Sequence, residues 1–332
     1  MILWLRCVVL AAIGCLIPRG VPAVEVARTL ESGREAIGAW TDTVRVRDDL
    51  NHLVRLAAPA RRIVSLSPAF TEILFAMGAG DRLVGRTRFG TRPEAARAVP
   101  SIGDGVRPSV ELVLARRPDV VLFFAGSDNA GLGAALRRVG VPSLGLAHNS
   151  LADLNRNLRR LGVLIGCEAA ASRLAAAIER GLKAVHEATA GLGATRVYYD
   201  VWSDPPITVG KASYLDSLLA IAGGRNVFGD LEAVSPQVSL EAIAARDPQL
   251  ILWPVTRTGD RRSPPEARPG WRAIGAVRRG AVRRVNGDRV HVLGPGIVAG
   301  ALELARALHP AAAIDGIPEV GADPSSTCSR DE

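Results

Sequence analysis

Two rhythms of apolar residues alternate along most of this chain. Short continuous apolar runs at Arg62–Ser67, Leu83–Arg86, Val120–Phe124 and Ser143–Ala147 predict buried strands, since parallel strands covered on both faces lose the in-out alternation. Between them Thr71–Met77, Val110–Arg116 and Ala130–Val139 carry helical spacing. The order returns further on. Strands are expected at Arg196–Val201, Leu250–Pro254, Val282–Val285 and Val290–Leu293, with helices at Tyr214–Ile221, Leu240–Ala245 and Ile297–Leu308. Strands alternating with helices imply parallel sheets with right-handed crossovers. The stretch Leu151–Ala190 has no proline and spaces Leu151, Leu154, Leu158 and Leu161, then Leu174, Ile178 and Leu182, at helical intervals, with Gly166 as the break. A helix from Glu168 to Ala190 spans about 34 Å.

The two halves share one pattern. Ser109-Val-Glu111 leads through Pro118 to Val120–Phe123, and Ser239-Leu-Glu241 leads through Pro248 to Leu250–Trp253, at a constant offset of 130 positions. Each serine is a helix N-cap, each glutamate suits the positive end of a helix, and each proline ends it. Upstream of each copy a helix end with glycines precedes a short apolar strand, at Leu74–Gly85 and at Leu218–Gly229. Two copies are too few for a solenoid and imply two similar α/β lobes.

The amino terminus changes the picture of where the chain works. Its apolar run of Cys7–Ile17, followed by Val21-Pro22-Ala23, reads as a secretory signal cut after Ala23. Arg6 interrupts it, and it is shorter than a spanning helix requires. Ala12-Ile13-Gly14-Cys15 is a poor lipid-attachment site, so an exported soluble chain is preferred over one anchored at Cys15. Only Cys167 and Cys328 remain after cleavage. An oxidising compartment leaves their pairing open, and the polar end of the chain is expected to be a flexible tail. The 332 residues carry a net charge of +8, but the basic residues are arginines scattered among nearly as many acids, and aromatics are only 4%. That excludes a stacking platform for nucleic acid.

These residues resemble the solute-binding proteins of ABC importers for vitamin B12, ferric siderophores and haem. Arg61-Arg-Ile-Val-Ser-Leu-Ser-Pro-Ala-Phe-Thr-Glu72 is similar to the family's opening strand and turn. Val209-Gly210, Ala222–Phe228 and Gln237–Glu241 are similar to its second lobe, and Asp42–Asp49 resembles the hairpin that precedes the first. The resemblance runs from about Thr41 to Leu308. It implies an α/β fold of two similar parallel-sheet lobes joined by a long connecting helix, as in class III periplasmic binding proteins. The implied organisation is a signal peptide at 1–23, an extension and hairpin at 24–60, an N-terminal lobe at 61–150, an inter-lobe helix at 151–190, a C-terminal lobe at 191–310 and a tail at 311–332. The implied function is non-enzymatic capture of a metal chelate by a periplasmic monomer that serves an inner-membrane permease dimer. Ser65–Glu72 and Val84–Phe89 resemble the cobalamin-binding branch most, with ferric siderophore or haem as the alternative. Ser235 and Ala222 stand where well-known cobalamin binders have a tryptophan and a disulfide cysteine.

In open α/β lobes, ligands bind beyond the carboxyl ends of the strands. Applied here, that rule collects Ser67, Phe70, Phe89, Phe124, Trp202 and Trp253 as candidate ligand contacts, because aromatic faces suit a flat macrocycle. Phe124 and Trp253 could equally cap a core, and Phe70 could staple a helix start. Arg86, Arg88, Arg92, Arg107 and Arg257 lie near the same rim, and their convergence would favour an anionic chelate. By the resemblance, Glu111 and Glu241 dock with the two permease subunits. The histidines have no metal-ligand spacing, and neither a nucleophile elbow nor a phosphate loop occurs, so no catalytic residue, resident metal or cofactor is expected.

Overall fold

The computed structural model describes residues 43–105, 108–126, 130–256, 262–312, 314, 316–320 and 328. The expected signal segment, Cys15, Arg107 and Arg257 lie outside the described residues. The first elements are β1 (Val44–Arg47) and β2 (Leu53–Leu56), an antiparallel hairpin with Val44 opposite Leu56. Its turn is fastened to the first lobe by carboxylates. Asp49 accepts from the Ala147 amide at 2.7 Å and pairs with Arg160 at 2.8 Å.

The N-terminal lobe follows as β3 (Ile63–Ser65), α1 (Pro68–Ala76), β4 (Leu83–Arg86), α2 (Val110–Ala115), β5 (Val120–Phe124), α3 (Ala130–Arg138) and β6 (Ser143–Leu146). Its four strands are parallel in the order β4-β3-β5-β6. Successive residues face opposite sides of a strand. Ile63, Val120 and Leu122 therefore join the main core, while Val64, Val121 and Phe123 pack in a separate cluster on the other face.

Two helices connect the lobes. α4 (Leu151–Ile165) starts at a capping box in which Ser150 accepts from the Asp153 amide, and it ends at Gly166. Gly166 has φ 65°, a left-handed conformation that costs glycine little. α5 (Glu168–Thr189) is the long connector, 22 residues. A Cβ on its Gly181 would sit 2.7 Å from Val298, so a side chain there would separate this helix from the last one.

The C-terminal lobe contains β7 (Thr195–Tyr199), a two-residue hairpin β8 (Trp202–Ser203) and β9 (Pro206–Ile207), then α6 (Tyr214–Ile221), β10 (Gly224–Asn226), α7 (Leu240–Arg246), β11 (Leu250–Val255), α8 (Gly275–Arg278), β12 (Val282–Asn286), α9 (Gly287–Val290) and α10 (Ile297–Leu308). Its parallel sheet has the order β10-β7-β11-β12. Strand for strand this matches the first lobe. The expected strand at Val290–Leu293 is absent. The Asn286 side chain instead accepts from the Asp288 amide at 3.1 Å and turns the chain into α9.

The repeat is reproduced in detail. Ser109 caps α2 through the Leu112 amide and Ser239 caps α7 through the Ala242 amide, each at 3.2 Å. Each helix then meets a residue with positive φ before its proline, Arg117 at 45° and Asp247 at 38°. A residue before proline is driven out of the right-handed helical region, which ends both helices at equivalent places.

One core crosses both lobes, taking in Ile63, Phe70 and Ile73, then Leu158, Leu161, Leu174 and Leu182 of the connectors, then Leu218, Leu252 and Leu302. The described part of the tail is not loose. Ile314 is buried, Ile317 and Val320 pack on the same core, and Cys328 forms a disulfide with Cys167 at the α4–α5 corner. This corrects the flexible-tail expectation for those residues. Apolar anchors and a covalent bond hold a segment whose composition alone reads as solvent-bound. Among the described residues no helix is long and apolar enough to cross a membrane.

Candidate functional site

The carboxyl ends of the strands in both sheets border a cavity of about 520 Å³. Pro68, Glu72, Arg88, Phe89 and Arg92 line it from the N-terminal lobe, and Thr256, Asn286, Asp288, Arg289 and His291 from the C-terminal lobe. The strands position these residues. Pro68 opens α1 directly beyond β3, Arg88 and Phe89 follow β4, Thr256 follows β11, and Asn286 ends β12. A larger cavity, about 920 Å³, runs along the edge strand β10, but its lining belongs entirely to the C-terminal lobe and includes the Arg246–Asp230 pair. The cleft fits the strand-end rule and the larger groove does not.

Charged side chains are numerous in the cleft wall. Four arginines face it, and each has a carboxylate partner: Arg88 with Asp104 at 3.0 Å, Arg92 with Glu72 at 2.9 Å, Arg97 with Glu94 at 2.9 Å and Arg289 with Glu319 at 2.7 Å. Burial pushes the Glu72 carboxyl above its ordinary pKa, opposed by the Arg92 guanidinium. The Tyr199 hydroxyl lies 2.9 Å from His291 Nε2, and burial holds that phenol protonated. Among the described residues no group of His, Cys, Asp and Glu could hold a metal ion.

Of the expected aromatics, Phe89 lies in the cavity wall. It is 52% exposed, with the Arg88 guanidinium 4.7 Å from its ring. Trp202 is 51% exposed beyond the end of β7, where its indole N–H donates to the Asp204 carbonyl. The others differ from expectation. Phe70 is fully buried, because the first turn of α1 points its ring into the core and against the edge of His148. It is a packing residue and does not touch the cleft. Trp253 stands two residues before the end of β11, opposite Arg284 of β12, whose guanidinium lies 5.6 Å from its ring. The strand continues past it, so the indole borders the sheet rather than the cavity. Phe124 is half-buried and its ring lies over Gly126, also outside the cavity wall. Ser67 is the N-cap position of α1 and borders Pro68, with its carbonyl accepting from the Ser65 and Thr71 hydroxyls. Arg86 turns inward and donates to the Ala96 and Thr87 carbonyls, leaving Arg88 and Arg92 at the cleft. His148 sits at the junction of the lobes, its ring nitrogens shielded from solvent, and burial pushes its pKa down to about 4. The Leu293 backbone and the Asp153 charge oppose that shift, and neither ring nitrogen has a hydrogen-bond partner of good geometry.

A family model for periplasmic binding proteins matches residues 63–288. The chain belongs to the periplasmic binding protein family. This binding protein is 31% identical over 274 residues to an uncharacterized ABC transporter substrate-binding lipoprotein of Bacillus subtilis (strain 168), covering 80% of this chain and 86% of that one. It is 28% identical over 196 residues to a vitamin B12-binding protein of Vibrio vulnificus (strain YJ016), covering 59% and 72%. Among solved structures it is similar to a periplasmic heme-binding protein from Roseiflexus sp. RS-1, at 26% identity and a TM-score of 0.64, covering 75% and 98%. The fold is therefore the two-lobed α/β architecture of these proteins, and the role is substrate binding for an ABC transporter, which works with a membrane permease, rather than catalysis.

On this binding protein Glu111 and Glu241 occupy the same place in the two lobes. Each is exposed at the second position of its serine-capped helix. The Ser109 hydroxyl donates to the Glu111 carboxylate at 2.7 Å and lowers its pKa, and at Glu241 its own backbone amide and Ser239 do the same. Both are therefore anionic at neutral pH. Among the cleft residues that sequence reasoning missed are Glu72, Asp288, Arg289 and His291. Glu72 was visible as the end of the Ser-Pro-Ala-Phe-Thr-Glu run, but the other three sit where a strand was expected or next to it.

Proposed function

We propose that this binding protein is exported, captures a cobalamin-type corrinoid in the inter-lobe cleft as a monomer, and delivers it to an inner-membrane permease dimer. The observation that carries the reading is a cavity at the strand ends with the Phe89 ring left open in its wall. A corrin is a broad, largely apolar disc, and a half-exposed aromatic ring in a cleft wall is a surface that would hold it. The similarity to vitamin B12-binding proteins supports this choice, and the similarity to a periplasmic heme-binding protein supports the second reading below equally. Glu111 and Glu241, matched across the two lobes, offer one carboxylate to each permease subunit. A pseudo-symmetric pair suits a two-fold partner.

A second reading has its own support. Arg88, Arg92, Arg97 and Arg289 border the cavity, and guanidinium groups favour carboxylate-bearing ligands such as haem or a ferric siderophore. Titration of tryptophan fluorescence against cyanocobalamin, haemin and ferric siderophores separates the two. Saturable quenching by cyanocobalamin is expected. Quenching by haemin or a siderophore alone moves the assignment to the second reading, and no quenching by any chelate removes both.

A further inference from the structure

The described part of the C-terminal segment runs from the end of α10 to the rear of the cleft. Ile314 is buried and Ile317 and Val320 pack on the main core. Between the last two, Glu319 reaches Arg289 at 2.7 Å. Arg289 belongs to two walls at once. It lines the cleft, and with Glu72, Arg92, Glu319 and Val320 it lines a smaller chamber of about 250 Å³ behind it. Further on, Cys328 is bonded to Cys167 at the corner of the connecting helices. Among the described residues, the contact of Glu319 with a cleft arginine is thus flanked by anchors on both sides.

We propose that Glu319, seated on Arg289 from the chamber behind the cleft, is a competitor built into the chain: it sets the specificity of the site by competing for that guanidinium with the carboxylates of incoming ligands. The proposal deepens the reading of the cleft as the ligand site. Arg289 and Glu319 are 39% and 48% exposed, so water reaches both and their pairing is weak and exchangeable. Tethering gives the competitor a high local concentration, in the millimolar range or about that, which never dilutes. A small free acid that offers only a carboxylate gains little by replacing Glu319. A large chelate that also covers Phe89 and the other arginines gains the rest of the cleft and displaces it. Glu319 therefore acts as a filter that admits carboxylates only when a larger body carries them.

The test uses the full oxidised chain and citrate as a small polycarboxylate probe, read by titration calorimetry. Glu319→Gln should bind citrate about 1.5–5-fold more tightly than the native chain, the range expected on removing a weak competing pair. Glu232→Gln is the control. It removes the same charge from an exposed pair with Lys211, away from both chambers, and should leave citrate affinity unchanged. Adding Arg289→Gln to Glu319→Gln should abolish the gain. The proposal is overturned by equal affinity in the native chain and Glu319→Gln, by an equal gain in Glu232→Gln, by a gain that survives loss of Arg289, or by no citrate binding to any form. Citrate is used here without a metal, so a chain that ignored every metal chelate yet showed this pattern would lose the cargo reading and keep this one.

Discussion

Replacing His148 by leucine should flatten the acid limb of the stability curve. The imidazole follows β6, rests its edge on Phe70 of the N-terminal lobe and approaches the backbone of Leu293 in the C-terminal lobe. Burial lowers its pKa from 6.5 to about 4, with Asp153 and Leu293 opposing. Between those values the unfolded chain binds a proton that the folded chain refuses, so stability rises with pH across the window and falls on acidification. Each pKa unit corresponds to about 1.36 kcal/mol, and the full shift to about 3 kcal/mol below pH 4. At pH 4.5 nearly all of it is felt, a loss of about 2.5 kcal/mol relative to pH 7. Urea unfolding of the native chain and His148→Leu at pH 7 and pH 4.5 reads the difference. The native chain should lose about 2.5 kcal/mol more than the variant between the two pH values. Equal losses in both proteins would refute the argument, because the carboxylates common to both would then account for the whole acid effect.

The disulfide closes a loop of 161 residues. Chain entropy alone assigns such a bridge about 5 kcal/mol, and measured values cluster at about 2–4, so Cys328→Ser should lower the unfolding free energy by about 2–4 kcal/mol in oxidising buffer and by nothing further on reduction. Phe70→Ala removes a fully buried ring and should destabilise by about 3–5 kcal/mol, while Phe89→Ala should cost less than about 1 kcal/mol and instead weaken binding of the quenching chelate; thermal melts and fluorescence titration check the two halves. Glu111→Ala with Glu241→Ala should abolish transport in an uptake assay while leaving chelate affinity unchanged, and normal uptake by the double variant would remove the docking role.

Much of the fold was legible from the chain because it is written in local terms. Caps, helix periods and buried strand runs depend on neighbours a few positions away, and the 130-residue offset makes each half a check on the other. Strands β3 to β7, β11 and β12, the serine-capped helices and the break at Gly166 stand where those signals put them. The strand-end rule also pointed to the region where the inter-lobe cavity lies, and to Phe89 in its wall. It failed where the outcome depends on which way a side chain turns. Phe70 and Phe89 are the same residue type at similar distances from a strand end, yet one fills the core and the other faces the cleft.

What tertiary structure alone decided lies at long sequence separation. Arg289 meets Glu319 on the rear wall, Asp49 meets Arg160, and Cys167 meets Cys328 across the whole C-terminal lobe. No periodicity or spacing signals these pairs, since each forms only after the helices and sheets have brought distant segments within a few ångströms. The sequence by itself determined two similar lobes, a spine and a cleft between strand ends. Packing determined which charges and rings that cleft contains, because burial and partner choice are properties of the assembled core and not of the local chain.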